Sequence, residues 1–193
     1  MHQQLFNYIN SHSTLALTSI EEEWIKAAFQ PKKLRKKQYF LQEGNVCKYT
    51  AFVVKGAMRQ YTVDEKGVER MVHLFIENYW ATDRESMTML TPSNYNIDAW
   101  EDTELLMITR AEMLELMAKI PALVEMIRLM DERNAIANQR RLSSTISGTA
   151  ERRYEDFATN HPQFIQRFPQ HIIASYLGIT KETLSRVRKQ SIR

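Results

Sequence analysis

Apolar residues at the start of the chain recur at helical spacing. Within residues 3–28 they return every three or four positions, which predicts two helices. The second helix can begin at Thr18 or Ser19, because a hydroxyl at that point accepts hydrogen bonds from the first free backbone N–H groups. Glu21 and the two glutamates after it would then lie in the first turn, where the helix dipole favours acids.

The pattern changes after Pro31. Residues 38–108 contain short apolar or alternating runs rich in Val, Tyr, Phe and Thr, and the clearest runs occupy residues 49–54, 57–63, 68–75 and 105–108. Segments typical of turns separate them, at residues 43–45, 55–56, 64–67 and 91–94. Several short strands joined by close turns predict an antiparallel barrel or roll.

Helical spacing returns at Thr109 and predicts two more helices. The first covers residues 110–119, and the second begins at Pro121, because proline is favoured in the first turn of a helix. One stripe recurs at steps of three and four along the second helix: Leu123, Met126, Ile127, Met130, Asn134, Ala137 and Arg141. We interpret this stripe as the contact of a homodimer. The alternative is that the same face packs on the chain's own β roll, and both can hold along different parts of the stripe.

A hinge and a helix-turn-helix follow the long helix. The Ser-Gly-Thr run at residues 147–149 predicts the hinge, and Thr149 can cap a helix that continues to Ala158. In residues 170–189, Ala174 provides the small residue that two steeply crossing helices need where they touch. Gly178 accepts the positive φ of a tight turn at no steric cost.

The helix-turn-helix segment combines an apolar inner face with a basic outer face. The positions expected to point inward are Ile173, Leu177, Ile179, Leu184 and Val187, and those expected outward are Lys181, Ser185, Arg186, Arg188 and Lys189. This pairing is what a protein that reads the DNA major groove needs. Two alternatives remain: a helical hairpin whose basic face is merely solvated, and a module whose helix-turn-helix contacts another protein.

Charge and composition support the DNA interpretation and exclude other classes of protein. Residues 148–193 carry eight Lys or Arg, Arg193 among them, against four acids, a net charge of +4, whereas residues 1–147 sum to −1. Cys47 is the one cysteine, so an intramolecular disulfide or a thiolate-held cluster within one chain is excluded. We expect no membrane span and no signal peptide, and hence a cytoplasmic protein.

No pattern in the chain supports an enzyme. The five histidines lack the spacing of metal ligands, and neither a phosphate-binding glycine loop nor a nucleophile elbow is present. Asp83, Glu85, Asp98 and Glu101 lie near one another in sequence, and we interpret them as residues of solvated turns. We therefore expect no catalytic site, no metal and no cofactor.

The order of these parts resembles the Crp/Fnr family of bacterial transcription regulators, which join a cyclic-nucleotide-type sensor to a DNA-binding domain. The likeness is strongest at residues 172–189, where Thr-Lys-Glu-Thr-Leu-Ser-Arg at 180–186 is similar to the family's recognition helix. Residues 52–61 are similar to the family's strand–glycine–strand hairpin, and Glu43-Gly44 is similar to the turn that precedes it in the family. The resemblance implies an α+β fold with three parts: a β-roll sensor flanked by helices (residues 1–120), a long dimerisation helix (121–147) and an all-α helix-turn-helix domain (148–193).

The resemblance also implies partners and roles for the second helix of the helix-turn-helix. The partners are double-stranded DNA, a second copy of the chain and, as an open option, RNA polymerase. Lys181, Glu182 and Arg186 would face base edges, since Arg and Lys bind guanine acceptors and Glu accepts from cytosine. Thr180 would cap the helix and touch a phosphate. The remaining predicted DNA contacts are Ser185, Arg188 and Lys189.

Two departures from the family matter. Its cyclic-AMP binders use a Gly-Glu pair and, about ten residues on, an Arg-Ser or Arg-Thr pair; this chain has Thr82-Asp83 and Ser93-Asn94 instead. Without an arginine for the cyclic phosphate, we expect weak or absent cyclic-AMP binding. Second, the sequence ends at Arg193, too soon for the β wing that the family usually adds.

The sequence therefore predicts an effector pocket but does not identify its ligand. Its candidate residues are Tyr79, Trp80, Asp83, Arg84, Ser93 and Asn94. Asp83 could accept a hydrogen bond from a ribose, and Arg84 is nearby in sequence. The aromatic pair at 79–80 could stack on a planar ligand or plug the site, and we favour the plug.

Overall fold

A computed structural model describes residues 1–191, so Arg193, one of the counted charges, lies outside the described residues. The helices are α1 (His2–Ser11), α2 (Ser19–Ala28), α3 (Arg84–Met89), α4 (Arg110–Met117), α5 (Pro121–Ser147), α6 (Ala150–Asn160), α7 (Pro162–Arg167), α8 (Gln170–Tyr176) and α9 (Lys181–Ser191). The strands are β1 (Gln30–Leu34), β2 (Tyr39–Leu41), β3 (Tyr49–Lys55), β4 (Met58–Val63), β5 (Glu69–Phe75), β6 (Trp80–Ala81), β7 (Asn96–Ala99) and β8 (Thr103–Thr109).

The two predicted N-terminal helices are present, and Thr18 caps the second. The Thr18 hydroxyl accepts from the Glu21 N–H at 3.3 Å, and the Glu21 carboxylate accepts from the Thr18 N–H at 2.8 Å. This reciprocal pair satisfies two backbone donors that a helix start leaves free. A second capping box, between Thr109 and Glu112, begins α4 at the predicted place.

The strands form two four-stranded sheets, in the orders β1-β8-β3-β6 and β2-β7-β4-β5. The pairs β1–β8, β3–β8, β3–β6 and β2–β7 are antiparallel. The predicted antiparallel roll is therefore confirmed, but its predicted start at residue 38 is wrong, because β1 already begins at Gln30. Pro31 is tolerated there since β1 is an edge strand, where a missing N–H costs no sheet hydrogen bond.

Strand β3 separates two hydrophobic clusters. Ala51 and Val53 point into the roll interior. Phe52 and Val54 point the other way and pack against helices α1, α2 and α4 and the start of α5, in what we call the outer cluster. Side chains of a strand alternate between its faces, so a strand buried on both faces is apolar throughout. This arrangement explains the unbroken apolar run that the sequence shows at this point.

The long helix α5 divides into two parts of different environment. Leu123 and Met126 are fully buried in the outer cluster, so the start of the predicted stripe packs on the chain's own roll. Asn134 and Ala137, further along the stripe, are exposed. The packing alternative is confirmed for the first part, and the dimer contact remains a prediction for the second.

The chain divides into two compact units. Residues 1–60 and 75–132 form the first; residues 61–74 and those from 133 onwards form the second. The tip of the β4–β5 hairpin thus belongs to the same unit as helices α6–α9. The three-part division inferred from the family resemblance stays a prediction.

The predicted hinge lies where α5 ends. The Gly148 N–H donates to the Ser144 carbonyl at 2.9 Å, and a Cβ on Gly148 would lie 2.6 Å from that oxygen. A side chain at this position would therefore displace the backbone. Thr149 caps α6 as predicted, accepting from the Arg152 N–H at 3.3 Å.

Candidate nucleic-acid interface

Helices α8 and α9 cross at a small apolar contact. Ala174 is almost fully buried on α8, and Leu184 and Val187 of α9 are completely buried. Ile173 is also buried, so these four residues take the predicted inward positions. Leu177 and Ile179 are only half-buried, because they belong to the connection between the helices rather than to the crossing.

Gly178 makes the tight turn between α8 and α9. Its φ is +66°, and the next amide, that of Ile179, donates to the Ala174 carbonyl at 3.0 Å. A Cβ at Gly178 would lie 3.6 Å from the Arg153 guanidinium, which is an ordinary contact distance. The backbone conformation, and not the available space, therefore requires glycine here.

Thr180 begins α9. Its hydroxyl oxygen accepts from the Thr183 N–H at 3.2 Å and is 3.1 Å from the Thr183 hydroxyl. The pKa of the Glu182 carboxyl is lowered, because the carboxylate accepts hydrogen bonds from the Glu182 backbone N–H and from the Thr180 hydroxyl. At neutral pH, Glu182 is thus an acceptor only, which suits the amino group of a cytosine.

The predicted DNA contacts lie on a single helix. Lys181, Glu182, Arg186 and Lys189 are exposed on α9, and Ser185 and Arg188 are half-buried. Thr180 stands exposed at the start of the helix. All seven residues therefore lie within residues 180–189, and Arg188 and Lys189 belong to the basic last turn of α9.

Arg186 is paired with an acid from another helix of the same unit. Its guanidinium donates to the carboxylate of Glu151, in the first turn of α6, at 3.1 Å. The Glu151 pKa is lowered first by its own backbone N–H and further by Arg186. Both side chains are substantially exposed, so the pair is weak and can exchange for a contact with DNA.

An aromatic cluster that the sequence analysis missed packs beneath the helix-turn-helix and joins α6 and α7 to α8. Phe157 lies 6.1 Å from Phe164 and 5.6 Å from Tyr176, ring centroid to ring centroid, and Phe164 stacks on Phe168 at 6.0 Å. Phe164 lies on α7, a short helix that the sequence did not predict. Phe157, Phe164 and Phe168 follow one another at steps of seven and four residues, and this helical spacing was the available signal, but Pro162 between them suggested a break.

The predicted effector positions fall into separate environments. Asp83 and Ser93 meet: the Ser93 hydroxyl donates to Asp83 at 2.6 Å, and both residues are buried. The other oxygen of Asp83 accepts from two backbone N–H groups, of Glu85 and Ser86, and so caps α3. Both carboxylate oxygens are therefore engaged by the protein.

The remaining effector candidates point elsewhere. Arg84 is exposed and donates to Asp131 of α5 at 2.6 Å, and Asn94 is exposed. Trp80 packs in the outer cluster, 5.1 Å from Phe52, and its buried indole N–H has no hydrogen-bond partner. Tyr79 instead contacts the roll interior. The two neighbouring aromatics thus serve different clusters.

The roll also holds a buried ion pair that the sequence did not predict. Arg59 on β4 binds Asp98 on β7 in a two-pronged contact, with N–O distances of 2.8 and 3.0 Å, and both are less than a tenth exposed. The Arg59 guanidinium also lies 5.3 Å from the Trp100 ring centroid. The solvated-turn interpretation is wrong for Asp83 and Asp98, because partners distant in sequence satisfy both inside the fold.

Residues 1–191 contain neither a metal-binding cluster nor a membrane-spanning helix. In that range, no group of three or more His, Cys, Asp or Glu residues could hold a metal ion. In the same range, no helix combines the length and apolar character needed to cross a membrane. Cys47 is buried.

Comparisons with known proteins agree with this architecture. Residues 31–120 match the family model of the cyclic nucleotide-binding domain. FixK2 from Bradyrhizobium japonicum is similar in structure, at 18% identity and a TM-score of 0.71, over 84% of this chain and 83% of that one. No curated protein matches the sequence significantly.

Two further structures cover more of this chain. A CooA variant from Carboxydothermus hydrogenoformans shares 16% identity at a TM-score of 0.66, over 92% of this chain and 80% of that one. A Crp/Fnr family protein from Eubacterium rectale shares 17% identity at a TM-score of 0.63, over 91% and 84%. These likenesses concern the fold, and they confirm the resemblance noted from sequence: this chain has the fold of the Crp/Fnr family, with a cyclic nucleotide-binding domain at residues 31–120.

Proposed function

We propose that this protein is a sequence-specific, DNA-binding transcription regulator of the Crp/Fnr type. The observation that carries the proposal is the exposed polar face of α9, held in place by the buried contacts of Ala174, Leu184 and Val187. A rigid helix that presents exposed basic side chains beside an acceptor is suited to the major groove. Arg186 would bind guanine in a fork, Lys181 would reach the same acceptors, and Glu182 would accept from cytosine.

The other predicted contacts would position α9 on the duplex. Exposed Thr180 at the start of the helix suits a phosphate, because the helix dipole is positive there. Further along the helix, the side chains of Ser185, Arg188 and Lys189 would contact the sugar-phosphate backbone of the DNA. Such contacts fix the register of the protein on the duplex without reading its sequence.

We propose that the active species is a homodimer formed through the second half of α5. Ile136, Leu142 and Ile146, which lie beside the predicted stripe and not on it, are 49%, 62% and 78% exposed, so this half of the helix offers apolar surface to a second copy. Two copies would place their α9 helices in successive major grooves about 34 Å apart, so the operator would be a near-palindrome. Sedimentation should show a dimer that Ile136→Glu dissociates, and a monomeric wild type would contradict the proposal.

We further propose that cyclic AMP does not control this protein. By the resemblance to the family, Asp83 would stand at the ribose position, and its carboxylate already accepts hydrogen bonds from Ser93 and from the start of α3. By the same resemblance, Ser93-Asn94 would stand at the phosphate position in place of an arginine, and Arg84 donates to Asp131 instead. Calorimetry with cyclic AMP should detect no tight binding; a tight 1:1 titration would refute this part.

The test of the function is direct. Genomic fragments are selected with the purified full chain and no added ligand, and a bound fragment is then titrated at rising salt. We expect one shared near-palindrome whose affinity falls steeply with salt, while its preference over scrambled DNA remains. Binding that is weak and equal on all sequences would favour a protein-contact role for the helix-turn-helix.

A further inference from the structure

Strand β1 and the turn after it form a densely positive segment on the first compact unit. Within residues 32–37, which we call the basic segment, five side chains are cations and all of them are exposed: Lys32, Lys33, Arg35, Lys36 and Lys37. The sixth residue, Leu34, is buried in the roll interior and anchors the segment to the fold.

Hydrogen bonds from neighbouring segments hold the turn in one conformation. The Lys36 N–H donates to the Asp102 carboxylate at 2.9 Å, and the Lys37 N–H donates to the Ala99 carbonyl at 2.7 Å. A backbone hydrogen bond of 2.9 Å also joins residues 35 and 38. Lys37 has a φ of +69°, which residues with a Cβ adopt uncommonly, so the turn is built to hold it. The backbone is thus fixed, and the long side chains extend from it.

The basic segment keeps cations that the protein itself does not pair. Glu104 binds Lys33 at 2.8 Å, and this hydrogen bond is the first cause of the lowered pKa of the Glu104 carboxyl. In the part of the chain that the structure describes, no acid forms an ion pair with Lys32, Arg35 or Lys37. These three side chains are therefore free to bind an external anion.

The surroundings of the segment favour a nucleic acid over a protein or a membrane. Residues 30–38 carry five positive charges and the adjoining residues 101–104 carry three negative ones, a net charge of 5 − 3 = +2. Within residues 30–38, no large apolar side chain is exposed. A stable protein interface has an apolar or aromatic centre, and a membrane-surface site needs an apolar face to insert. Contact with a phosphate backbone needs only cations that reach it.

We propose that the basic segment binds the DNA that flanks the operator, while α9 reads the operator itself. This inference rests on the proposed function, because α9 would bring the duplex to the chain and so raise the local concentration of DNA around the first unit. Lys32, Arg35 and Lys37 would bind phosphates of the flanking duplex. Such contacts add affinity without sequence preference.

The test uses two duplexes that contain the same selected operator. One ends at the operator, and the other extends it by about 15 base pairs on each side, roughly one and a half helical turns. In anisotropy titrations at low salt, the full-length wild type should bind the longer duplex at least about ten-fold more tightly. The triple variant Lys32→Gln, Arg35→Gln, Lys37→Gln should lose this gain and bind the short duplex as the wild type does.

Salt dependence gives a second readout on the same samples. Each phosphate contact adds about 0.9 to the slope of log K against log salt, and a dimer of the triple variant lacks three cations in each copy. The slope on the longer duplex should therefore become shallower by up to about 5. On the short duplex, the slope should not change.

A matched variant controls for net charge. Lys26→Gln, Lys48→Gln and Lys119→Gln together remove the same charge from exposed positions of the first unit outside the basic segment. This control should keep the gain from the longer duplex. Coincident urea unfolding curves for the wild type and both triple variants would show that the changes do not act through folding.

The possible results separate this inference from the proposed function. A wild type that prefers the operator but gains nothing from the added length would overturn the inference alone, as would an equal loss in both triple variants. Binding of polyglutamate by the wild type and not by the basic-segment variant, without any gain from DNA length, would assign the segment to an acidic protein instead. A wild type that prefers no sequence would overturn the function, and the inference with it.

Discussion

The helix-turn-helix and the predicted effector pocket differ in how their polar side chains are used. On α9, Lys181, Glu182 and Arg186 are exposed, and the Arg186 pair with Glu151 is itself open to solvent. In the roll, Asp83 is buried with both carboxylate oxygens engaged by the protein. Polar groups kept at the surface can bind a partner, whereas groups already satisfied inside the fold stabilise it.

From this contrast we predict opposite effects of substitutions in the two regions on stability and on DNA affinity. Changes at the buried polar groups of the roll should lower the free energy of unfolding and leave DNA affinity of the folded protein intact. Changes on the exposed face of α9 should do the reverse.

The largest effect is expected at the buried ion pair. Asp98→Ala removes the carboxylate that the buried Arg59 guanidinium binds through two nitrogens, which should lower the free energy of unfolding by about 3–5 kcal/mol. Urea denaturation measures this loss. Replacing both residues, as Arg59→Met with Asp98→Leu, should restore much of the stability; a loss below about 1 kcal/mol in Asp98→Ala would contradict the account.

The second effect concerns Asp83. Asp83→Ala removes the cap of α3 and the acceptor of the buried Ser93 hydroxyl, at a cost of about 2–3 kcal/mol of unfolding free energy. Asn94→Ala, at the exposed neighbour of Ser93, is the control and should change stability by less than about 0.5 kcal/mol. An Asp83→Ala protein as stable as the wild type would contradict the structural role of the carboxylate.

His73 of β5 supplies a pH probe of the second unit. Burial lowers the pKa of its imidazole to about 4, and the charge of Arg141 adds to the shift. The unfolded chain, with a pKa near 6.5, binds the proton more tightly, so stability falls as the pH drops from about 6.5 towards 4. From pH 7.5 to 5, the wild type should lose about 2 kcal/mol more than His73→Gln in urea titrations; parallel losses would contradict a His73 imidazole that is neutral in the folded protein.

The smallest effect is expected at Glu151. Glu151→Gln removes the charge that holds Arg186, and an exposed pair contributes about 0–1 kcal/mol, so DNA affinity should rise by at most about five-fold. Glu155→Gln, an exposed acid on the same helix, controls for the change in net charge. Equal gains from both variants would show that Arg186 is not specifically restrained.

Local sequence rules predicted the helix-turn-helix well. The turn at Gly178 and the cap at Thr180 depend on contacts within a few residues, and their backbone requirements are visible in the residue types. The capped starts of α2, α4 and α6 were predictable for the same reason.

The parts that sequence did not predict depend on distant partners or weak patterns. Asp98 resembled a turn residue, because its partner Arg59 lies 39 positions away. Helix α3 has six residues, too few to show a helical period. Strand β1 was missed because Pro31 within it argued against a strand. The opposite faces of Tyr79 and Trp80 likewise follow from the sheet and not from their order in the chain.

The central claim is that exposed side chains of α9 read bases. The most direct measurement compares wild type and Arg186→Ala for affinity to the selected palindrome, to its single-base variants and for unfolding free energy. We predict a loss of about 1–3 kcal/mol in binding, relaxed preference at one base pair of each half-site, and a change in stability below about 0.5 kcal/mol. An equal loss of affinity on every sequence, or no loss, would contradict the claim.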